Sequence, residues 1–365
     1  MSDNNSKDFL LDCYFDLRSC FDNVKQEFVS YKGMLVPFTQ NKILYHYCTI
    51  DAFYNIIKSN CFWLSCPTYL NDLTEFKYSQ KIFFENIAKY KESLVKTKVS
   101  KDESCFSNML NDMLSRFSNY FENREKELDY NNQSFLICFS SEGDSLAMWN
   151  SYISNNTGVS IGLDFSKEDY FIELNSADFR EKVSPFNQLP KGAFYDIKYF
   201  DKPVLDNKIG ELLEKIREVY LLDLMKLKKA DKYSIDNFNE YFSSNCYLNF
   251  LNLSIYIKDS NFQFEKETRF ISSNFEKDDI KFRVKNNFIV PYIEFPKLPS
   301  NYMEDKSETE RRYSYKIPIV SLTLSPGCSE ANLVIHSLKS YLFSKGYDVN
   351  KIQFKESEIP FVSRC

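Results

Sequence analysis

The chain of 365 residues is long enough to bury a large core in one domain or two, and 34 Phe and 25 Tyr against 8 Gly and 11 Pro exclude a disordered or low-complexity protein. A net charge of -5 supplies no overall basic field, so it leaves nucleic acid open without indicating it. The ten cysteines contain no C-x-x-C pair and no histidine at zinc-finger spacing, so no metal is expected and reduced thiols in a cytoplasm are the natural reading.

The N-terminus, MSDNNSKDFLLDC, has no basic segment followed by an apolar run, and no stretch reaches the roughly 20 apolar residues that span a bilayer, so no membrane is expected. From Phe9 to Tyr31, Leu10, Leu11, Tyr14, Leu17, Phe21, Val24 and Phe28 recur at helical spacing, and Gly33 and Pro37 end this lead. ILYHYCT, Ile43 to Thr49, then reads as a buried strand carrying His46, one of two histidines in the chain. Thr49 or Asp51 can cap a helix with Phe53, Ile56 and Ile57 on one face, and Asn60 can end it. CFWLS forms the next strand. The unit is short for a parallel crossover and no Gly-rich phosphate loop follows, which excludes a P-loop or dinucleotide fingerprint.

In NDLTEF, Asn71 or Asp72 with Glu75 has capping-box spacing. Helices follow over roughly Phe76 to Val95 and Glu103 to Leu128. SFLICFSS is an apolar strand covered on both faces, ending in Ser140 and Ser141. DSLAMWNSY is a short helix starting at Asp144 and bearing Trp149, and VSIGLDF is a strand in which Gly162 marks a bulge or a close approach. AFYDIKYF alternates as a strand. Helices over roughly Leu205 to Lys229 and Ser234 to Lys258 lead into KDSNFQFEKETRFISS, where period two sends Glu265, Glu267 and Arg269 to one face. KFRVK, FIVPYIEF and IPIVSLTLSPG add strands, and a last helix, Ser329 to Lys345, carries His336 in a structural role. The expected layout is a helical lead over 1–40 and one α+β domain over 41–365, with helical insertions at about 72–128 and 205–258.

His46, Ser140, Glu265 and Glu267 are the candidate chemistry. A serine hydrolase elbow, G-x-S-x-G, is absent, Cys48 and Cys138 have no nucleophile signature, and two carboxylates adjacent on one strand cannot flank a scissile glycosidic bond. A fixed carboxylate beside a histidine suits chemistry in which positive charge develops on a ribose, as in transfer from NAD.

The ordered series LYHYCT, WLSCPTYLNDLTE, LICFS with DSLAMW, GVSIGLDF and FEKETR resembles the bacterial domain of unknown function 2971 family over most of Leu44 to Arg269. Cys48 stands where that family usually has threonine, and Phe262 and Phe264 where Trp and Tyr are common. The order of elements is also similar to the ADP-ribosyltransferase superfamily. That resemblance implies a split, twisted, mixed or antiparallel sheet with helical insertions. It also implies NAD as substrate without a metal, Glu267 as catalytic residue and Glu265 orienting an acceptor that the sequence does not identify. His46, Ser140, Ser141 and Arg269 would line the site, with Tyr47, Tyr69 or Trp149 stacking the nicotinamide. The activity implied is ADP-ribosyl transfer or NAD hydrolysis by an effector of bacterial defence or toxicity. The competing expectation is a non-catalytic nucleotide sensor or interaction module of a defence system, in which the same residues form a satisfied polar network.

Overall fold

The computed structural model describes residues 17, 21, 30–31, 43–69, 73–96, 100–123, 134–153, 157–165, 191–230, 234–274, 277–285, 287–295 and 316–360. Most of the expected leading helix and the Asn71–Asp72 cap lie outside the described residues. In chain order the first half holds β1 (Ser30–Tyr31), β2 (Leu44–Thr49), α1 (Ile50–Ser59), β3 (Phe62–Ser65), α2 (Leu73–Lys96), α3 (Lys101–Asn123), β4 (Phe135–Ser140), α4 (Leu146–Tyr152) and β5 (Gly158–Leu163). Then follow β6 (Lys191–Asp196), β7 (Lys198–Phe200), α5 (Lys202–Ala230), α6 (Ile235–Ser254), β8 (Ile257–Asp259), β9 (Glu267–Asn274), β10 (Lys281–Lys285), β11 (Phe288–Phe295), β12 (Ile319–Leu324), α7 (Ala331–Ser344) and β13 (Gln353–Glu356). The protein is mixed α+β.

Two compact units divide the chain. The first comprises residues 1–30, 71–129 and 197–263 and is helical, with the parallel pair β7–β8 beside α2, α3, α5 and α6. Its helices meet through aromatic side chains at helical spacing: the Tyr220 ring lies 5.1 Å from Phe106 and 5.1 Å from Phe242, and its hydroxyl donates to Asn239. Phe21 meets Phe250 edge-on at 5.2 Å. The expected helix to Lys258 stops at Ser254, and Ile257–Asp259 extends to pair with β7.

The second unit, residues 31–70, 130–196 and 264–365, is built on a sheet in the order β1-β6-β9-β4-β2-β5-β12-β13, with a side branch β3-β11-β10. All pairings resolved by register within it are antiparallel except the parallel pair β12–β13. Thr49 caps α1 by accepting from the Ala52 amide at 3.2 Å, and Asn60 closes it in the left-handed region, φ 52°. Side chains alternate along each strand, so the ladders define two faces. One face is apolar: Leu44, Phe62, Leu64, Phe135, Ile137, Phe139, Ile161, Phe194, Phe270, Ile293 and Leu322 form a continuous core with Phe53, Ile56 and Ile57 of α1 and Leu338 and Leu342 of α7. The other carries Tyr45, Ser140, Gly162, Glu267 and Ser321 in one row across five strands, with a smaller apolar cluster of Tyr47, Met148, Trp149 and Ile153.

Gly162 is a close approach as well as a bulge site. A Cβ there would meet Ser321 Oγ at 2.1 Å and the Tyr45 ring at 3.1 Å, and the β5–β12 register shifts beside it. Phe139 is 1% exposed and its ring contacts those of His46, Phe62, Phe165 and Phe194. Truncating it leaves a cavity that closely packed neighbours cannot fill. Phe139→Ala is expected to lower the unfolding free energy by about 3–5 kcal/mol, measured by urea denaturation.

Candidate functional site

The sheet forks at β4. One edge of β4 pairs with β9 along its whole length, Phe135↔Ser272 to Ser140↔Glu267. On the other edge β2 reaches only Ser140, through Tyr45, and β3 reaches only Leu136, through Ser65. Both strands run antiparallel to β4, so they lie parallel to each other and diverge, β2 toward β5 and β3 toward β11. Cys138, midway between Ser140 and Leu136, therefore has a carbonyl at the opening that neither strand covers.

His46 fills that gap. Its Nδ1–H donates to the Cys138 carbonyl at 3.0 Å, and its ring sits edge-on to Phe62 at 5.7 Å and to Phe139 at 5.8 Å. The bond fixes the tautomer and leaves Nε2 as an acceptor that makes no hydrogen bond among the described residues; the side chain is partly exposed. Burial holds its pKa below the ordinary 6.5, the Cys138 carbonyl opposes this, and Arg283 adds to the lowering. His46 is thus a neutral imidazole at neutral pH.

Glu267 is placed differently. His46 and Glu267 stand two strands apart, about 10 Å at the backbone, but on opposite faces: Tyr45, the neighbour of His46, shares the row of Ser140 and Glu267, whereas His46 pairs with Ile161 of the apolar face. Arg269 Nε donates to Glu267 Oε1 at 2.8 Å and Nη2 to Oε2 at 3.0 Å, with side-chain exposures of 0% and 2%. Burial pulls the Arg269 pKa down, and the carboxylate against it keeps the guanidinium charged. The expected Glu265, Glu267, Arg269 set holds only for its last two members. Ser260–Glu265 is a 3-10 helix and Lys266 takes a left-handed φ of 43°, so the period-two pattern begins at Glu267.

The remaining candidates serve the framework. Ser140 Oγ donates to the Glu265 carbonyl at 2.7 Å and accepts from the Glu142 amide at 3.0 Å, and the Ser141 amide donates to the Lys266 carbonyl at 3.1 Å. These bonds tie the end of β4 to the turn before β9. Tyr47 is buried and donates to the Glu142 carbonyl at 2.8 Å, and its ring lies edge-on to Trp149 at 4.7 Å. Trp149 Nε1 donates to Asp144 at 2.7 Å. Asp144, expected as the cap of α4, instead also accepts from Ser357 and the Glu358 amide, and Ser145 takes the cap position without a side-chain bond. Tyr69 ends a 3-10 turn packed beside the apolar core.

The sequence reading passed over Arg283. Its guanidinium lies over the Trp63 ring at 5.1 Å and near Tyr292 at 5.7 Å, and Nη2 donates to Ser65 Oγ at 2.8 Å. The signal was present: in KFRVK, period two puts Lys281, Arg283 and Lys285 on one face. Among the described residues no group of three or more His, Cys, Asp or Glu could hold a metal ion, and no helix is long and apolar enough to cross a membrane.

Residues 148–270 match the family described as a protein of unknown function, DUF2971. No curated protein and no solved structure matches the chain. The DUF2971 match is narrower than the resemblance read from Leu44 onward: it includes Trp149, Glu265, Glu267 and Arg269 and leaves out His46, Tyr47, Tyr69, Ser140 and Ser141. Within the DUF2971 segment, the E-x-E-x-R residues thus form a buried ion pair and a turn.

Two measurements follow from this geometry. Glu267→Ala strands a buried guanidinium and is expected to cost about 3–5 kcal/mol of stability, whereas Glu267→Leu with Arg269→Met recovers most of it, measured by urea denaturation. Because folding lowers the His46 pKa, the unfolded chain binds more protons just below pH 6.5. The contribution is therefore complete above that value and lost as pH falls toward the folded pKa. His46→Asn retains a donor for Cys138 without titrating, and its denaturation midpoint is expected to fall less than that of the wild type between about pH 7 and 5.

Proposed function

We propose that the chain is a binding module that takes NAD or a related nucleotide at the fork of its sheet and does not turn it over. The supporting observation is His46. Its Nδ1–H is committed to Cys138 while its Nε2 is left as an acceptor on a neutral ring, at the point where two strands part. An acceptor held this way suits a ribose hydroxyl or an amide N–H, groups that a nucleotide offers. Bonds to both Glu267 oxygens from a buried Arg269 support binding without catalysis, since a carboxylate must face the ribose to favour the transition state over the ground state. A sensor in a bacterial defence system is the setting this reading fits.

One observation favours a second reading, ADP-ribosyl transfer or NAD hydrolysis by a toxic effector: the split sheet is what the ADP-ribosyltransferase resemblance implies. It requires Glu267 to leave Arg269. Calorimetric titration with NAD and chromatography of released nicotinamide separate the two. The module reading expects binding that weakens about tenfold in His46→Phe, with no nicotinamide formed. Nicotinamide release abolished by Glu267→Gln in a protein that unfolds at the wild-type midpoint would sink it and establish the second.

A further inference from the structure

The side branch β3-β11-β10 has one face that is covered at one end and open at the other. Residues directly opposite each other in an antiparallel ladder share a face, and the face alternates along each strand. Through Phe282↔Pro291 and Val284↔Ile289, this puts Phe282 and Val284 of β10 together with Ile289, Pro291, Ile293 and Phe295 of β11. Lys281, Arg283 and Lys285 take the opposite face. Pro291, Ile293 and Phe295 are buried, the last two in the core that Leu64 and Phe62 of β3 continue. Toward the turn the same face comes into the open: Phe282 is 56% exposed, Ile289 70% and Val284 79%.

An apolar sheet face is stable when it is buried against another layer. Strand β10 alternates cations with apolar side chains, the pattern of a strand with one covered face, yet its apolar face lies open. With the exposed Phe288 at its end, the uncovered surface amounts to on the order of 500 Å². Twice that area is about 1,000 Å², which reaches the lower limit of a specific interface. The face holds no charged residue of either strand, so two copies of it meet about a two-fold axis without bringing like charges together.

The edge of β10 behaves in the opposite way. Among the described residues β10 pairs only with β11. A second β10 added antiparallel about Arg283 would set Arg283 against Arg283 and Lys281 against Lys285, and like charges directly opposite are destabilising. The strand thus resists edge-to-edge growth and offers its apolar face.

We infer that this face is a self-association surface through which two copies of the chain pair, sheet face to sheet face, with Val284 and Ile289 at its centre. The pairing does not depend on the nucleotide reading.

The test is sedimentation velocity of the full chain from about 1 to 100 µM, where a reversible monomer–dimer equilibrium with a Kd in the micromolar range suits so small an interface. Val284→Asp puts a charge at the centre of the face and should raise that Kd at least about tenfold. Leu333→Asp, at an exposed apolar position on α7, should leave it unchanged. Thermal unfolding is measured alongside, and if Val284→Asp does not fold, Ile289→Thr decides, with a smaller rise expected. A wild type that stays monomeric through about 100 µM overturns the inference. So does a dimer whose Kd is unchanged in the folded face variants, or one that Leu333→Asp weakens as much as they do. A monomer that floats with phosphatidylcholine vesicles, and no longer floats as Val284→Asp, assigns the face to a lipid surface and overturns the pairing.

Discussion

The hydrogen bond from His46 to the Cys138 carbonyl is the interaction on which the sheet unit depends. A strand in the middle of a sheet must satisfy polar backbone groups on both edges. β4 achieves this on one edge with a continuous partner, and on the other with two strands that touch only its ends. The carbonyl between them has no strand to meet it. A side chain able to donate from within the apolar layer closes the gap, and an imidazole does so while its ring packs edge-on against both Phe62 and Phe139, which also touch each other.

From the fork, the division of labour between the two faces follows. The apolar side chains of β2, β3, β4 and β9 meet α1 and α7 and form the core. The opposite face holds small and polar residues, among them the Glu267–Arg269 pair, where a buried carboxylate and guanidinium answer each other through two bonds. Such a pair is strong against loss of one partner and contributes little against an apolar replacement of both. Its place in β9, against β4 at the fork, explains why Glu267 and Arg269 do not indicate a solvated strand.

Much of this was legible in the sequence. The strands ILYHYCT, CFWLS and SFLICFSS and the Asn60 stop follow from short-range patterns and the structure bears them out, and of the two caps the sequence offered, Thr49 and Asp51, it selects Thr49. Two things were not legible. Period two was extended through Lys266, whose left-handed backbone resets the alternation, so Glu265 was assigned to the wrong kind of element. Strand parity also gives a face within one strand, but which faces coincide across strands depends on register. Only Tyr45↔Ser140↔Glu267 reveals that His46 and Glu267 look away from each other. Arg283 was missed for a related reason: an alternating basic strand reads as a solvated edge until the aromatic rings of two other strands, Trp63 of β3 and Tyr292 of β11, are found beside it.

The account turns on the protonation state of one ring, and nitrogen-edited NMR of the histidine side chains reads it directly. The chain has two histidines, so His46→Asn assigns the signals. The account predicts that His46 at pH 7 is neutral with its proton on Nδ1, and that it stays neutral somewhat below pH 6.5, where an ordinary histidine is already half protonated. A proton on Nε2 at neutral pH, or an imidazolium already formed above pH 6.5, would contradict it.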